Sequence, residues 1–249
     1  MVGPDPLPAP GPFDIHLWHH DHHTSIGPER MSALLALVSP DEHARFTHMR
    51  NDGRRQQFLI GRALSRHVLS RYAPVQPGDW RFALGPRGKP SIASPVLSSP
   101  LWFNLSHTDG VSVCAVTGAG PEIGIDIELI APAPDSLEIA EQFFPDAETT
   151  ALRRRPQEQR REIFVRLWAL KESFAKAREA NLGDVIRGTT FDLARPDKIS
   201  VTFDEPLHEN VREWQFRLFQ LDPAQIIALA VRTDYDGALS LRTGACPEL

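Results

Sequence analysis

The sequence predicts an α+β protein built as two similar halves, and three observations carry that prediction. Helical and strand-like segments come in blocks rather than in strict alternation, and the order helix, helix, hairpin occurs twice. A shift of about 106 residues lays one half on the other, as internal duplication would. It places Glu42 on Glu148, Arg54 and Arg55 on Arg160 and Arg161, Phe58 on Phe164, and Ala63-Leu64 on Ala169-Leu170. With a slightly larger shift, WFNLSHTDGVSVCAV echoes WQFRLFQLDPAQIIALAV. The expected organisation is a disordered lead at 1–12, an N-terminal half at 13–121 and a C-terminal half at 122–249. The halves are expected to be related by a pseudo-two-fold, with the working site at their interface.

The elements follow in chain order. FDIHLW alternates like a strand, with Phe13, Ile15 and Leu17 on one face. The overlapping run HLWHHDHHT holds five of the ten histidines. Its side chains are too crowded along one extended segment to share an ion, so it reads as a polar loop. MSALLALV is a short helix. Ser39-Pro40-Asp41-Glu42 is a capping-box start, so a second helix runs from Asp41 to about Met49. A longer one follows from about Arg54 to Tyr72, with Ile60, Leu64, Val68 and Tyr72 as its buried ridge. Arg54, Arg55, Arg62, Arg66 and Arg71 spread over its remaining surface. WRFAL is a strand, GPRGKP a tight basic loop, and LWFNLSH and VSVCAV a hairpin turning at Thr108-Asp109-Gly110. EIGIDIELI is expected to complete an antiparallel meander.

In the second half, DSLEIAEQFF and a segment opening at Pro145-Asp146-Ala147-Glu148 are helices. The central helix spans about Gln159 to Glu179. Ile163, Leu167, Leu170, Phe174 and Ala177 form its core stripe, while Glu172 and Lys176 sit one turn apart on another face beside Trp168. An acid and an amine next to a large aromatic imply that this face is covered as well.

Composition narrows the function. A net charge of −5 gives no general attraction to nucleic acid, so an anionic ligand needs a local cluster of Lys and Arg. No apolar run approaches the ~20 residues that cross a bilayer, and no membrane partner is expected. MVGPDPLPAPGPF has neither the basic start nor the apolar centre of a secretory signal. Cys114 and Cys246 fit no metal spacing, and a reducing cytoplasm is the expectation.

Three segments carry unusual polar groups. On the strand IGIDIE, Asp126 and Glu128 share a face about 7 Å apart, where two carboxylates repel unless a cation lies between them. Glu172 and Lys176 lie on the central helix, and Ser106 and His107 at a strand end. Arg62, Arg87 and Lys89 supply positive charge from the first half. Three carboxylates suit one magnesium ion, which binds through a few carboxylates plus substrate phosphate oxygens. The chemistry expected from these residues is on a phosphate ester or pyrophosphate.

FNLSH, IGIDIE and WALKESFAKA, in that order, resemble the phosphopantetheinyl transferases of the long, two-half type, the group that activates surfactin synthetase. GRALSRHVL and RGKP resemble that family too, and the likeness covers nearly the whole chain after the lead. It implies transfer of 4'-phosphopantetheine from coenzyme A to a serine of an apo acyl or peptidyl carrier protein, releasing adenosine 3',5'-bisphosphate. By motif match, Asp126, Glu128 and Glu172 would hold Mg²⁺ on the pyrophosphate, and Glu172 would also accept the serine proton. Lys176 and His107 would bind phosphate oxygens, with Lys171 a further candidate. Arg62, Arg87, Lys89 and Ser106 would face the adenosine 3'-phosphate. A monomer is expected, the duplication standing in for a dimer.

The sequence departs from the family after Lys176. KAREANL replaces the pattern KAxGxGL, with Glu179 and Asn181 at the glycine places. Either the loop follows another path or the helix runs a turn longer. A silent coenzyme A or carrier-binding protein, and a Mg²⁺-dependent pyrophosphate hydrolase, are the alternatives these residues leave open.

Overall fold

The computed structural model describes residues 7–22, 26–120, 122–130, 136–195, 198–234 and 237–246. In chain order these form β1 (Asp14–Asp21), α1 (Pro28–Leu35), α2 (Pro40–His48), α3 (Asp52–Ser70), β2 (Arg81–Leu84), β3 (Pro90–Ser94), β4 (Trp102–Thr108) and β5 (Val111–Thr117). There follow β6 (Ile123–Leu129), α4 (Ser136–Phe143), α5 (Asp146–Arg153), α6 (Gln157–Arg178), α7 (Leu182–Gly188) and β7 (Thr189–Arg195). The last strands are β8 (Lys198–Phe203), β9 (Trp214–Phe219), β10 (Gln225–Arg232) and β11 (Ser240–Ala245). The class is α+β. Two compact units form: Met1–Pro121 with Ala238–Leu249, and Glu122–Gly237.

In the first unit the strand order is β11-β1-β5-β4, with β1–β5 and β5–β4 antiparallel and β1–β11 parallel. The second unit has β6-β10-β9, antiparallel throughout. Without β11 the two sheets have the same order and sense. In each, the first strand is followed by helices and then by the remaining pair, which is the duplication seen as topology.

The path of the chain departs from expectation in three places. The chain end does not stay with the second half, because β11 returns to pair with β1 from Asp14↔Ser240 to His19↔Ala245. Gly244 makes this possible: the Trp18 ring lies over it, and a Cβ there would come within 2.9 Å of the ring. Second, β6 does not extend the β4–β5 hairpin into a meander. It pairs with β10, matching Ile123, Ile125 and Ile127 to Val231, Leu229 and Ile227, and apolar cross-strand matches favour that register. Third, the lead is ordered from residue 7. The Leu7 N–H donates to the Arg71 carbonyl at 2.5 Å, Pro10 is buried, and Gly118 leaves room for the Pro10 carbonyl. Residues 1–6 lie outside the described residues.

The helices begin where side chains can cap them. Ser39 and Glu42 form the capping box of α2, with Ser39 N–H to Glu42 Oε2 at 2.9 Å and Glu42 N–H to Ser39 Oγ at 3.3 Å. Asn51 caps α3 through the Arg54 N–H at 2.9 Å. Glu42 also accepts Arg66 at 2.5 Å and Arg62 at 3.2 Å. These two arginines are buried rather than spread over the helix surface. The duplicated position repeats the device: Glu148 pairs with Lys171 at 3.0 Å, both side chains fully buried.

In the histidine run, His16, His19 and His20 belong to β1 rather than to a loop, His22 follows the end of the strand, and His23 lies outside the described residues. His16 Nδ1 lies 2.9 Å from the Tyr72 hydroxyl, His20 Nδ1 3.2 Å from the Cys246 carbonyl, and His22 Nε2 3.0 Å from Ser112 Oγ. Asp109-Gly110 turns β4 into β5, with Gly110 at φ 80°, as a two-residue hairpin loop requires.

Candidate active site

The polar face of β6 is covered by α6. Gly124, Asp126 and Glu128 alternate onto that face, opposite Ala230, Ala228 and Ile226 of β10. At Gly124 a Cβ would run into the Ser173 carbonyl and come 2.5 Å from the Ala177 nitrogen. Only glycine allows this approach, and the approach sets Asp126 beside the Glu172–Lys176 side of α6. Leu167, Leu170 and Phe174 pack on the sheet, while Trp168 stacks with Phe164 and Phe144 at 5.9 and 6.4 Å.

Lys176 is the centre of the charges. Its Nζ donates to Asp126 Oδ1 at 2.6 Å and lies 3.8 Å from Glu172 Oε2. The Asp126 side chain is 4% exposed and that of Lys176 29%. Trp168 Nε1–H donates to Glu172 Oε1 at 3.2 Å, fixing that carboxylate. Burial, then the nearby Asp126 and Glu172 charges, push Glu128 up to about 7, with Lys176 and Arg161 opposing. Burial and then Asp126 raise Glu172 above the ordinary carboxyl range, while Lys176 and Trp168 hold it down. The carboxylates of β6 and α6 therefore sense one another, as groups sharing a charge centre do.

Beside Glu128 opens a groove of about 220 Å³ lined by Ile139, Arg161, Phe164, Val165 and Trp168. Apolar and aromatic on most sides, it carries one acid and one guanidinium. Sequence reasoning missed Arg161 as part of this site. It also missed Gly124, whose signal is the lone glycine inside a β-branched strand.

The remaining sequence-predicted residues are placed as follows. Lys171 is corrected: it is fully buried and donates to the Ile186 carbonyl at 3.1 Å, the Thr189 carbonyl at 2.5 Å and Thr189 Oγ1 at 3.2 Å. With Glu148 as its counter-ion it ties α6 to α5, α7 and β7, and none of its protons points at a phosphate site. Arg62 is corrected likewise, being held by Glu42 and lying over the Phe58 ring at 5.2 Å. In the first unit, Arg87 is exposed in the β2–β3 loop, closed by Gly85 N–H to the Lys89 carbonyl at 2.9 Å. Ser106 is buried near the end of β4 and His107 is exposed next to it.

After Lys176 the loop keeps a glycine-like path without the glycine. Glu179 ends α6 at φ 50°, ψ 40°, and the Ala180 N–H returns to the Ala175 carbonyl at 3.0 Å. Asn181 then caps α7, accepting from Gly183 N–H at 2.9 Å and Asp184 N–H at 3.4 Å.

No group of three or more His, Cys, Asp or Glu among the described residues is arranged as a ready metal site. The donor set nonetheless suits a hard divalent ion: it is all carboxylate oxygen, and the groups repel one another. In this structure the cation between two of them is the Lys176 ammonium. No described helix is long and apolar enough to cross a membrane.

A family model described as the 4'-phosphopantetheinyl transferase superfamily matches residues 122–235. The chain is similar to the 4'-phosphopantetheinyl transferase HetI of Nostoc sp., 37% identical over 164 residues that cover 66% of this chain and 68% of that one. It is similar to Sfp of Bacillus subtilis, 28% identical over 204 residues covering 82% and 86%. A further 4'-phosphopantetheinyl transferase of Bacillus subtilis is 33% identical over 187 residues covering 75% and 78%.

Proposed function

The chain belongs to the 4'-phosphopantetheinyl transferases, and we propose that it performs that transfer with Asp126, Glu128, Glu172 and Lys176 as its charge centre. The donor is coenzyme A and the acceptor a serine of an apo carrier protein. The observation that carries the residue assignment is Lys176 set between Asp126 and Glu172 on the face that Gly124 brings together.

The serine oxygen attacks the phosphorus that bears pantetheine, the bond from that phosphorus to the bridging pyrophosphate oxygen breaks, and adenosine 3',5'-bisphosphate leaves. Glu172 takes the serine proton. Burial and the neighbouring Asp126 charge make it a better base than an exposed glutamate, and the Trp168 N–H keeps its carboxylate oriented. Asp126, Glu128 and Glu172 would hold Mg²⁺, which when bound neutralises pyrophosphate charge. Lys176 contributes a proton donor to the phosphate oxygens. The groove along Phe164, Val165 and Trp168 suits the apolar stretches of pantetheine, with Arg161 and Glu128 at its polar side. On the first unit, His107 and Ser106, with Arg87 and Lys89, keep the phosphate-contacting roles that the family resemblance implies. We leave Arg62 and Lys171 out of these roles, because Arg62 is paired with the half-buried Glu42 and Lys171 with the buried Glu148. We further read the protein as a cytoplasmic monomer, as its sequence leads one to expect.

The test is incubation with coenzyme A, Mg²⁺ and an apo carrier protein, read by mass spectrometry. A phosphopantetheine mass gain on the carrier supports transfer. Coenzyme A breakdown without it indicates a hydrolase, and neither indicates a binder. In the same assay Glu172→Gln keeps an acceptor for the Trp168 N–H but removes the base, so transfer is expected to fall by about a thousandfold with the fold intact. Near-normal turnover would refute the role of Glu172.

A further inference from the structure

We infer that Lys176 is an exchangeable counter-ion: it occupies the Asp126 carboxylate that a divalent ion must take, and the ion displaces it toward the substrate phosphates. The inference rests on the reading of Asp126, Glu128 and Glu172 as metal ligands and adds a competition to it.

The geometry is direct. Asp126 Oδ1 accepts from Lys176 at 2.6 Å, a charge-assisted hydrogen bond of ordinary length. The same ammonium reaches Glu172 at 3.8 Å. An ammonium and a divalent ion cannot share one carboxylate oxygen at bonding distance without strong repulsion. An ion that takes this oxygen, the one turned toward Glu172 by their shared ammonium, therefore requires the lysine to leave. Two features let it leave. Its side chain is 29% exposed, whereas the aspartate is 4% exposed, so the lysine is the partner with room to move. Its stem is a flexible four-carbon chain rather than the planar fork of arginine. The contrast with Lys171 on the same helix is instructive. Lys171 is wholly buried on four acceptor atoms and is a fixed cation.

The consequence is economical chemistry. While the ammonium sits on Asp126 it offsets repulsion among Asp126, Glu128 and Glu172. Once an ion has replaced it, the same charge is released one helical turn from Glu172, where phosphate oxygens need it. Lys176 is then a positioning charge for the metal as well as a contact for the substrate.

The experiment titrates Mn²⁺ alone into the protein without coenzyme A, counting free ion by electron paramagnetic resonance. The pH is kept well above the value near 7 of Glu128. Lys176→Met and Lys176→Gln are both expected to bind Mn²⁺ about tenfold more tightly than the unaltered chain, since removing a unit charge at this range is worth that much. Lys176→Arg, which keeps the charge, is expected to bind no more tightly than the unaltered chain. Unchanged or weaker binding in both neutral variants overturns the inference, provided Asp126→Asn abolishes binding and so leaves the metal reading standing. If Asp126→Asn binds Mn²⁺ as well as the unaltered chain, the metal reading itself fails and the exchange falls with it.

Discussion

Gly124 of β6 and Ser173 of α6 pack backbone against backbone, with the space for a Cβ at Gly124 filled by the Ser173 carbonyl. This one contact fixes how deeply the helix settles on the strand. Asp126 is two residues along that strand, and Glu172 and Lys176 flank Ser173 on the helix. Gly124→Ala must push α6 away, and overpacking of this kind costs about 1–3 kcal/mol. The expected outcome is a lower melting temperature together with a transfer rate reduced tenfold or more per folded molecule, since small displacements at a charge centre cost rate steeply. Calorimetry and the carrier mass assay check it. Unimpaired transfer would mean that the site does not depend on this approach.

Lys171 tests the distinction between a buried tie and a substrate contact. Lys171→Met leaves Glu148 as a buried charge without its cation, which costs about 3–5 kcal/mol. Adding Glu148→Gln removes that charge and retains an acceptor for the Phe191 N–H, now bound at 2.6 Å. The double variant is therefore expected to regain part of the lost stability. In both variants the KM for coenzyme A should stay within about twofold of the original, because no phosphate contact is removed. A large KM increase without further loss of stability would return Lys171 to the substrate.

These two residues also mark what the sequence could and could not reveal. Helices announced themselves through local chemistry: the Ser39–Glu42 capping box and the spacing of Leu167, Leu170 and Phe174 act within a few residues. The acids and Lys176 were legible because Asp126 and Glu128 on one strand face contradict strand preference, and that contradiction needs a cation. Partners were not legible. Arg62 and Lys171 are cations of the right type in the right motifs, yet their nearest acids, Glu42 and Glu148, are 20 and 23 residues away in the chain. Strand pairing failed for the same reason. The choice of β10 for β6 depends on apolar matches, and the return of β11 to β1 on the room that Gly244 leaves for Trp18, and in both the partners are more than 90 residues apart. The α7 helix and the β7–β8 hairpin carried no motif and were not read at all.

Glu179 is a strained residue that a single change should relieve. It holds φ 50° at the end of α6, where a side chain other than glycine costs about 1–2 kcal/mol and where helices commonly place glycine. Glu179→Gly is expected to stabilise the protein by about 1 kcal/mol, a rise of roughly 2–4 °C in melting temperature for a chain of this size. The Ala180 N–H already bonds the Ala175 carbonyl, so the loop path and the transfer rate should be unchanged. A fall in melting temperature would show that the glutamate side chain contributes more here than its backbone costs.

The β1 histidines give the stability a pH dependence whose sign follows from their bonds. Trp18 Nε1–H can only donate, and it donates to the Tyr72 oxygen at 2.7 Å. The Tyr72 proton is then free to go to His16 Nδ1 at 2.9 Å, which makes His16 a neutral acceptor. Burial, and then Arg242 on the neighbouring strand, lower the His16 pKa below its ordinary 6.5, with Asp14 opposing. Burial likewise lowers that of His20, whose ring lies beside the Cys246 carbonyl. A group depressed on folding is protonated first in the unfolded chain. Its stabilisation is thus complete above about pH 6.5 and is lost as the pH falls from there toward the folded value. Melting temperature should decline between about pH 7 and about pH 5. His16→Gln keeps an acceptor for Tyr72 but does not titrate, so its decline should be shallower, and adding His20→Gln should flatten it further. Glu128 and Glu172, both raised on folding, act in the opposite sense, which is why the difference between variant and original carries the test. If calorimetry gives parallel curves for all three proteins, protons are not entering at this junction, and the C-terminal strand is held on β1 independently of histidine charge.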